Sequence, residues 1–249
     1  SELKELLERE NVNYIECDLT DSKELDKLDK DYDEVYHLAA INGTKNFYEI
    51  PDVVLRVNTL ATINILDWFI QTKGKKIVFS SSSEAYAGTM RKFGIKIPTP
   101  EDVALCVEDV NNARWSYGGS KIVGELFFIN YARKHNFDMS IIRYHNIYGG
   151  RMGYDHVMPE FCIRIINKED PFIIYGGKET RAFCHINDAV KATELVMKSD
   201  KVNNEIIHVG NDADEISIKE LAEKMFKITG FEPSLDIHPA PKGCVQRRC

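Results

Sequence analysis

The sequence lacks the features of several classes of protein. None of its apolar runs approaches the roughly 20 residues that a helix needs to span a bilayer, and its charged start, SELKELLERE, is unlike a signal peptide. Lysine and arginine (32) are outnumbered by aspartate and glutamate (39), so the basic surface typical of nucleic-acid-binding proteins is missing. We therefore expect a cytoplasmic protein without membrane or nucleic-acid partners.

Metal and disulfide signals are also missing. The six cysteines include no C-x-x-C pair, and the histidines lack the spacing of metal ligands, so we expect no metal site. Glycine is absent before Gly43, and no G-x-x-G-x-x-G turn occurs. Such a turn lets backbone N–H groups approach a pyrophosphate, so the usual first turn of a dinucleotide-binding sheet is not in this chain.

What is present is an alternation of apolar strands and amphipathic helices. Strands alternating with helices at this spacing imply a parallel sheet covered on both faces, with ligands at the carboxyl ends of the strands. The predicted strands are 11–17, 34–38, 76–80, 139–143, 172–175 and 205–209. The predicted helices are 2–10, 22–28, 53–72, 116–135, 187–198 and 218–229, with a further one inside 151–166.

One pair of residues has the spacing of a proton-transfer site. Tyr117 and Lys121 are four residues apart, so on a helix they share a face. A nearby ammonium lowers the pKa of a phenol, which makes the phenol a general acid or base for a sugar hydroxyl. A surface tyrosine beside a solvated lysine has the same spacing. The serine run 80–83 ends an apolar strand, where a hydroxyl such as that of Ser82 could complete a Ser–Tyr–Lys set.

Seven short segments in order resemble those of the extended short-chain dehydrogenase/reductase family, specifically its NAD-dependent nucleotide-sugar epimerases and dehydratases. They include H-x-A-A, S-[ST]-x-x-x-Y, Y-x-x-x-K, R-x-x-N-x-Y-G and T-R-x-F patterns. The segments are 17–19, 37–40, 57–59, 81–86, 117–121, 143–149 and 180–188. The resemblance implies an α/β fold with an incomplete doubly wound (Rossmann) sheet in 1–147 and 182–212. A smaller substrate-binding domain would comprise 148–181 and 213–249.

The resemblance also implies a cofactor site for NAD. Asp18 would bind the adenine amino group, Ala39 and Ala40 would line the ribose and phosphates, and Asn58 would fix the bend of its helix. Lys121 would bind the nicotinamide ribose. The expected cofactor-binding residues are Asp18, Leu19, Leu38, Ala39, Ala40, Asn58, Ser80, Tyr117, Lys121 and Tyr144.

For the substrate, the resemblance implies a nucleotide sugar. Asn146 and Arg181 would hold the diphosphate, together with Arg247, and the backbone at Tyr175 would meet the base. Met158 is expected to line the pocket. Guanidinium groups suit bidentate contacts with phosphate.

Catalysis would begin with transient oxidation of the sugar at C4. Ser82 would hydrogen-bond the C4 hydroxyl, and Tyr117, as phenolate, would take its proton. Ser83-Glu84 resembles the pair found in dehydratases and decarboxylases, because a carboxylate near C5 can transfer a proton there once C4 is a ketone. Glu84 could instead make a structural hydrogen bond. Dehydration, decarboxylation and C4 epimerisation therefore all stay open.

The resemblance begins after the family's glycine turn and stops before its closing helix. We therefore expect an internal segment of a longer protein, which alone binds NAD weakly or not at all. The family implies a homodimer through helices 53–72 and 116–135. An NADPH-consuming reductase and a non-catalytic nucleotide-binding fragment are the alternative functions.

Overall fold

A computed structural model describes residues 4–240 and 247–248. Its helices are α1 (Lys4–Leu7), α2 (Thr44–Glu49), α3 (Pro51–Phe69), α4 (Ala87–Phe93), α5 (Trp115–His135), α6 (Val157–Ile166), α7 (Ile186–Lys198) and α8 (Ile218–Thr229). Its strands are β1 (Glu34–His37), β2 (Lys76–Ser82), β3 (Asp138–Tyr144), β4 (Ile147–Tyr148), β5 (Phe172–Tyr175), β6 (Thr180–Ala182), β7 (Cys184–His185), β8 (Glu205–Val209), β9 (Glu215–Ser217), β10 (Leu235–His238) and β11 (Arg247–Arg248). Short 3-10 helices cover Glu24–Lys27, Ser83–Tyr86 and Asp200–Val202.

Four parallel strands form the central sheet in the order β1-β2-β3-β8. Their short apolar sequences are typical of parallel strands that are covered on both faces. Because the strands are parallel, their carboxyl ends lie together at one edge of the sheet. The prediction of a Rossmann-like α/β fold with a parallel sheet is confirmed.

Alternate side chains of β2 pack on opposite faces of the sheet. Ile77 and Phe79 join a core cluster with Phe128 of α5 and with α3, whereas Val78 joins another cluster with Val196 of α7. This division follows from the two-residue period of a strand. Helices α3 and α5 pack against each other on the face of the sheet that carries Ile77 and Phe79. Their pairing with a second subunit stays a prediction.

A third core cluster lies outside the central sheet. Phe172 and Ile174 of β5 pack there with Phe161 of α6 and Leu221 of α8. Strand β10 pairs with β5, and β6 lies between β11 and β9. These elements belong to the ranges 148–181 and 213–249. The division of the chain into two domains at those boundaries stays a prediction.

Local sequence signals set several helix ends. Pro51 begins α3, where its missing N–H has no intrahelical partner to lose. Helix α5 ends at Asn136, whose φ of 57° is left-handed. Ser217 and Glu220 form a capping box at the start of α8, and Gly230 ends that helix with a φ of 65°.

The N-terminal part departs from the sequence-based expectations. The predicted strand 11–17 is wrong: residues 12–18 form neither helix nor strand, and Tyr14 is exposed. Among the described residues no strand pairs with this segment, so no ladder completes its backbone hydrogen bonds. The predicted helix 22–28 is a single 3-10 turn. Of the predicted helix 2–10, residues 2 and 3 lie outside the described residues, α1 covers 4–7, and 8–10 are not helical.

Candidate active site

A cavity of about 910 Å³ opens at the carboxyl ends of β1, β2 and β3. This is the edge at which a parallel sheet presents its ligand-binding groups. The sequence-predicted residues that line the cavity are Leu38, Ala40, Ser80, Ser82, Ser83, Glu84, Tyr117, Lys121, Tyr144, Asn146, Tyr175 and Arg181. The predicted residues that do not line it are Asp18, Leu19, Ala39, Asn58, Met158 and Arg247.

The Ser–Tyr–Lys set is assembled by α5 and the end of β2. Tyr117 is buried in the first turns of α5, where its ring stacks on Phe47 at a centroid distance of 4.7 Å. Its phenol hydrogen-bonds with the hydroxyl of Ser82. Lys121 is also buried, and its Nζ donates to the carbonyl of Ser80 at 2.6 Å. Lys121 Nζ lies 5.5 Å from the centroid of the Tyr117 ring.

The ionisation of these two groups is dominated by their burial. Burial and then the negative charge of Glu84 raise the pKa of Tyr117, while the hydrogen bond with Ser82 opposes the rise. Burial lowers the pKa of Lys121 to about 8, and the charge of Glu125 acts in the opposite direction. The shift of the Tyr117 pKa is therefore opposite to the expected direction, because burial desolvates the phenolate and Glu84 adds a negative charge beside it.

Glu84 has a partner that the sequence analysis missed. Arg114 Nη2 donates to both of its carboxylate oxygens, at 3.1 and 3.0 Å. Both side chains line the cavity. Arg114 comes three residues before Tyr117, at the start of α5. That position alone does not reveal a partner in the loop after β2, so the ion pair had no clear signal in the sequence.

A second missed residue, Glu125, connects α5 to two strands. Its Oε1 accepts hydrogen bonds from Ser81 Oγ and from Arg143 Nε, the latter at 2.9 Å, and its Oε2 accepts one from Arg143 Nη2 at 2.7 Å. Glu125 is 2% exposed and Arg143 is 1% exposed. The spacing of Glu125, one helical turn after Lys121, is a signal that could have found it.

Four predicted cofactor-binding residues lie off the cavity wall. Asp18 is exposed, and its Oδ1 accepts hydrogen bonds from the backbone N–H and the hydroxyl of Thr20 at 2.8 Å each. Leu19 packs against the core, and Ala39 is exposed. Asn58 is buried, and its side chain bonds the backbone of Ile41 at 2.7 and 3.1 Å. Their cofactor roles stay predictions.

Of the predicted substrate-binding residues, Asn146 lines the cavity, whereas Met158 and Arg247 do not. Asn146 has a left-handed φ of 43° and donates to the carbonyl of Ala182 at 3.1 Å. Met158 packs into the third core cluster. Arg247 binds the carboxylate of Glu215, with distances of 2.7 to 3.0 Å. The roles of these side chains toward a substrate stay predictions.

The described residues hold neither a cluster of metal ligands nor a membrane-spanning helix. Across residues 4–240 and 247–248, no three His, Cys, Asp or Glu side chains are grouped so that they could hold a metal ion. The same residues include no helix that is long and apolar enough to cross a membrane.

Known proteins resemble this chain over most of its length. A UDP-N-acetyl-alpha-D-glucosaminuronate decarboxylase from Bacillus cytotoxicus is 37% identical, over 88% of this chain and 66% of its own. A UDP-glucuronate 4-epimerase from Thermodesulfobacterium geofontis is 30% identical, over 92% and 67%. The solved structure of an epimerase from Methanothermobacter thermautotrophicus superposes with a TM-score of 0.84 at 25% identity, over 96% of this chain and 70% of that one.

The chain thus spans about two thirds of the length of these curated relatives. A sequence profile of the NAD dependent epimerase/dehydratase family matches residues 2–210. That match covers most of the chain, including the strands, the serine run and the tyrosine–lysine pair that form the cavity wall. The chain therefore belongs to the NAD dependent epimerase/dehydratase family, and NAD is the cofactor of that family.

Proposed function

We propose that the full-length protein is an NAD-dependent enzyme that decarboxylates a UDP-linked sugar acid. It transiently oxidises the sugar at C4 and releases the C6 carboxylate as carbon dioxide. The observation that carries this proposal is the presence of Ser82, Tyr117 and Lys121 together with the Glu84–Arg114 ion pair on the wall of one cavity. The activity named for the Bacillus cytotoxicus relative supports the same reaction.

The residues at the ends of β1 and β2 fit a dinucleotide cofactor. Leu38 and Ala40 are exposed beside the cavity, which leaves room for a ribose and its phosphate to approach the backbone. Lys121 has three N–H donors, of which the carbonyl of Ser80 accepts one, so the buried ammonium can also bind a ribose hydroxyl. When bound, NAD would supply the oxidising chemistry at C4, accepting a hydride and later returning it.

Tyr117 is the group that exchanges the proton of the C4 hydroxyl. Ser82 hydrogen-bonds with Tyr117, so both hydroxyls can contact one sugar oxygen. Since burial raises the pKa of Tyr117, the phenol needs positive charge nearby before it ionises and accepts that proton. Lys121, one helical turn away, contributes part of this charge. Loss of the proton and of the C4 hydrogen leaves a ketone at C4 and a protonated Tyr117.

Decarboxylation then follows from the position of the ketone. The C5–C6 bond breaks, carbon dioxide leaves, and the electron pair forms an enolate whose charge rests on O4. The protonated Tyr117 stabilises that oxygen by donating a hydrogen bond to it. C5 takes up one proton, which restores the ketone; Glu84 is the carboxylate placed to relay it from solvent. On re-reduction of C4, Tyr117 returns its proton to O4, so the net reaction consumes one proton and releases one carbon dioxide.

C4 epimerisation is the second candidate. The Ser–Tyr–Lys set alone supports oxidation and re-reduction at C4, and the Thermodesulfobacterium geofontis relative is named for that reaction. Epimerisation requires the ketone to be reduced from its opposite face and leaves C5 and C6 unchanged. Glu84 and Arg114 would then bind the sugar acid without transferring a proton.

Product analysis separates these reactions. The full-length protein is incubated with NAD and UDP-glucuronate, UDP-N-acetylglucosaminuronate or, as a neutral control, UDP-glucose, and the products are studied by mass spectrometry and proton NMR. Loss of carbon dioxide from a sugar acid supports the proposal. An unchanged mass with inversion at C4 supports epimerisation, and loss of water indicates a dehydratase. The absence of any product with all three sugars contradicts the proposal.

A further inference from the structure

The serines at the end of β2 have separate partners on α5. The backbone carbonyl of Ser80 accepts a hydrogen bond from Lys121 Nζ. The hydroxyl of Ser81 donates to Glu125. Successive side chains of a strand point to opposite faces, so Ser81 shares the face of Phe79, which packs against Phe128 of α5. The contact of Ser81 with Glu125 therefore attaches this part of β2 to the helix.

The same contact determines where the catalytic partners lie. Ser82 follows Ser81 directly and hydrogen-bonds with Tyr117, and its Oγ accepts from the backbone N–H of Glu84 at 3.2 Å. A shift of β2 along α5 would displace the Ser80 carbonyl and the Ser82 hydroxyl together. A displacement of about 1 Å in a catalytic site is enough to reduce the rate of a reaction strongly.

Glu125 is held rigidly enough to serve as this anchor. Arg143 of β3 binds both of its carboxylate oxygens, and the two side chains are among the least exposed in the described chain. In the ion pair of Glu125 with Arg143, each ion compensates the desolvation of the other. Glu125 thus places a fixed negative charge inside the protein, one turn from Lys121.

Few titratable groups face Lys121 in the interior. On α5 these are Tyr117 and Glu125, and on β1 it is His37, whose pKa burial and the Lys121 charge lower to about 4, so that it is neutral at pH 7. Strand β2 contributes the ring of Phe79, 5.0 Å away, and the Ser80 carbonyl. Burial brings the pKa of Lys121 down to about 8, and the charge that opposes burial is that of Glu125.

We propose that Glu125 is a positioning residue of the active site: it attaches Ser81 to α5, and its charge keeps the Lys121 ammonium protonated at neutral pH. The part of this inference that concerns turnover rests on the proposed function; the part that concerns the charge of Lys121 does not. In the wild type, Lys121 loses its proton as the pH rises through about 8. Without the charge of Glu125, it loses the proton at a lower pH.

NMR titration of Lys121 tests the charge without any substrate. Lysine is labelled with carbon-13 at Cε, and the Lys121 signal is assigned by its absence from Lys121→Met. We expect Glu125→Gln to move the titration midpoint down by about one pH unit or more. Ser81→Ala, which keeps the charge, should leave the midpoint unchanged. So should Glu223→Gln, which removes an exposed carboxylate paired with Lys219. An unmoved midpoint in Glu125→Gln overturns the proposal.

The pH dependence of turnover tests the same residue in the full-length enzyme. In Glu125→Gln, whose amide oxygen can still accept the hydrogen bond from Ser81, the alkaline limb of kcat should move to lower pH, so the variant approaches wild-type activity as the pH is lowered. A residue that only supports the fold would instead reduce kcat by the same factor at every pH. If the full-length protein converts no nucleotide sugar, the proposed function fails, while the NMR titration still decides the charge of Lys121.

Two further variants decide the proposal if Glu125→Gln does not fold. Ser81→Ala should lower kcat at least tenfold without moving the alkaline limb, because the anchor is lost and the charge remains. Glu125→Asp keeps the charge and should keep the Lys121 midpoint near that of the wild type. A Ser81→Ala variant with normal kcat contradicts the positioning role. A Glu125→Asp midpoint that falls by about one pH unit contradicts the charge role.

Discussion

Arg114 donates from one nitrogen, Nη2, to both carboxylate oxygens of Glu84, at 3.1 and 3.0 Å. The two side chains are 12% and 14% exposed. Both line the cavity that contains the phenol of Tyr117, and the charge of Glu84 raises the pKa of that phenol. The pair therefore keeps a carboxylate in the cavity while placing a compensating cation beside it.

Glu84→Gln should lower the pKa of Tyr117. The substitution removes the negative charge that disfavours the phenolate but leaves the burial of the ring unchanged, so the shift is downward. The measurement is a titration of tyrosinate absorbance, with the titration of Tyr117→Phe subtracted. Glu108→Gln is the matched control, because Glu108 also pairs with an arginine, Arg91, at 2.9 Å, away from the cavity. A Tyr117 pKa that stays constant or rises contradicts the prediction.

Tyr117→Phe should abolish most turnover without loss of the fold. Phenylalanine preserves the stacking on Phe47 but has no hydroxyl to exchange a proton, and such groups contribute about 10²- to 10⁴-fold to rates. Initial rates with a UDP-sugar acid and the thermal midpoint of unfolding are measured together. Tyr14→Phe, at a tyrosine that is 62% exposed, is the control. Near-normal turnover in Tyr117→Phe with an intact fold would remove Tyr117 from the mechanism.

The elements that the sequence predicted well are those whose signal is local. The apolar runs of β2 and β3 and the helical spacing in α3 and α5 follow from the burial of one face or both. The segment 11–17 has the same local pattern but forms no strand, because pairing depends on a neighbour and not on the segment itself. Short strands such as β4 and β7, of two residues each, have no periodicity to detect.

The residues of the candidate site likewise fall into those that the sequence could predict and those that it could not. Tyr117 and Lys121 are four residues apart, and Ser82 ends an apolar strand, so their types and positions were visible. The pairs Glu84–Arg114 and Ser81–Glu125 join residues 30 and 44 positions apart. Only the packing of α5 against β2 brings them together. The direction of the Tyr117 pKa shift depends on burial, which the spacing of two residues does not report.

Core packing predicts a large difference between two leucines. Leu66 of α3 is fully buried in the core cluster between the central sheet and helices α3 and α5, whereas Leu126 of α5 is 56% exposed. Leu66→Ala removes buried methyl groups and leaves a cavity, so we expect a loss of about 2–5 kcal/mol in the free energy of unfolding. Leu126→Ala should lose less than about 1 kcal/mol. Urea denaturation monitored by circular dichroism measures both; equal losses contradict the assignment of the core.

His37 predicts a loss of stability in mild acid. Its ring packs against those of Phe79 and Phe128, at centroid distances of 5.7 and 6.2 Å, and its Nε2 lies 3.3 Å from the hydroxyl of Thr62. Burial and then the charge of Lys121 lower its pKa from 6.5 to about 4. The folded state thus binds the proton less readily than the unfolded state, so the stability is fully present above pH 6.5 and is lost as the pH falls toward 4.

The comparison of wild type with His37→Gln isolates this effect, because the carboxylates titrate in both proteins. Glutamine keeps a polar group near Thr62 but has no proton to gain. Between about pH 7 and pH 5, the wild type should lose about 2 kcal/mol more unfolding free energy than the variant. Urea denaturation at the two pH values gives the difference. Parallel losses in both proteins would mean that His37 titrates near its ordinary pKa, which its burial against two aromatic rings does not allow.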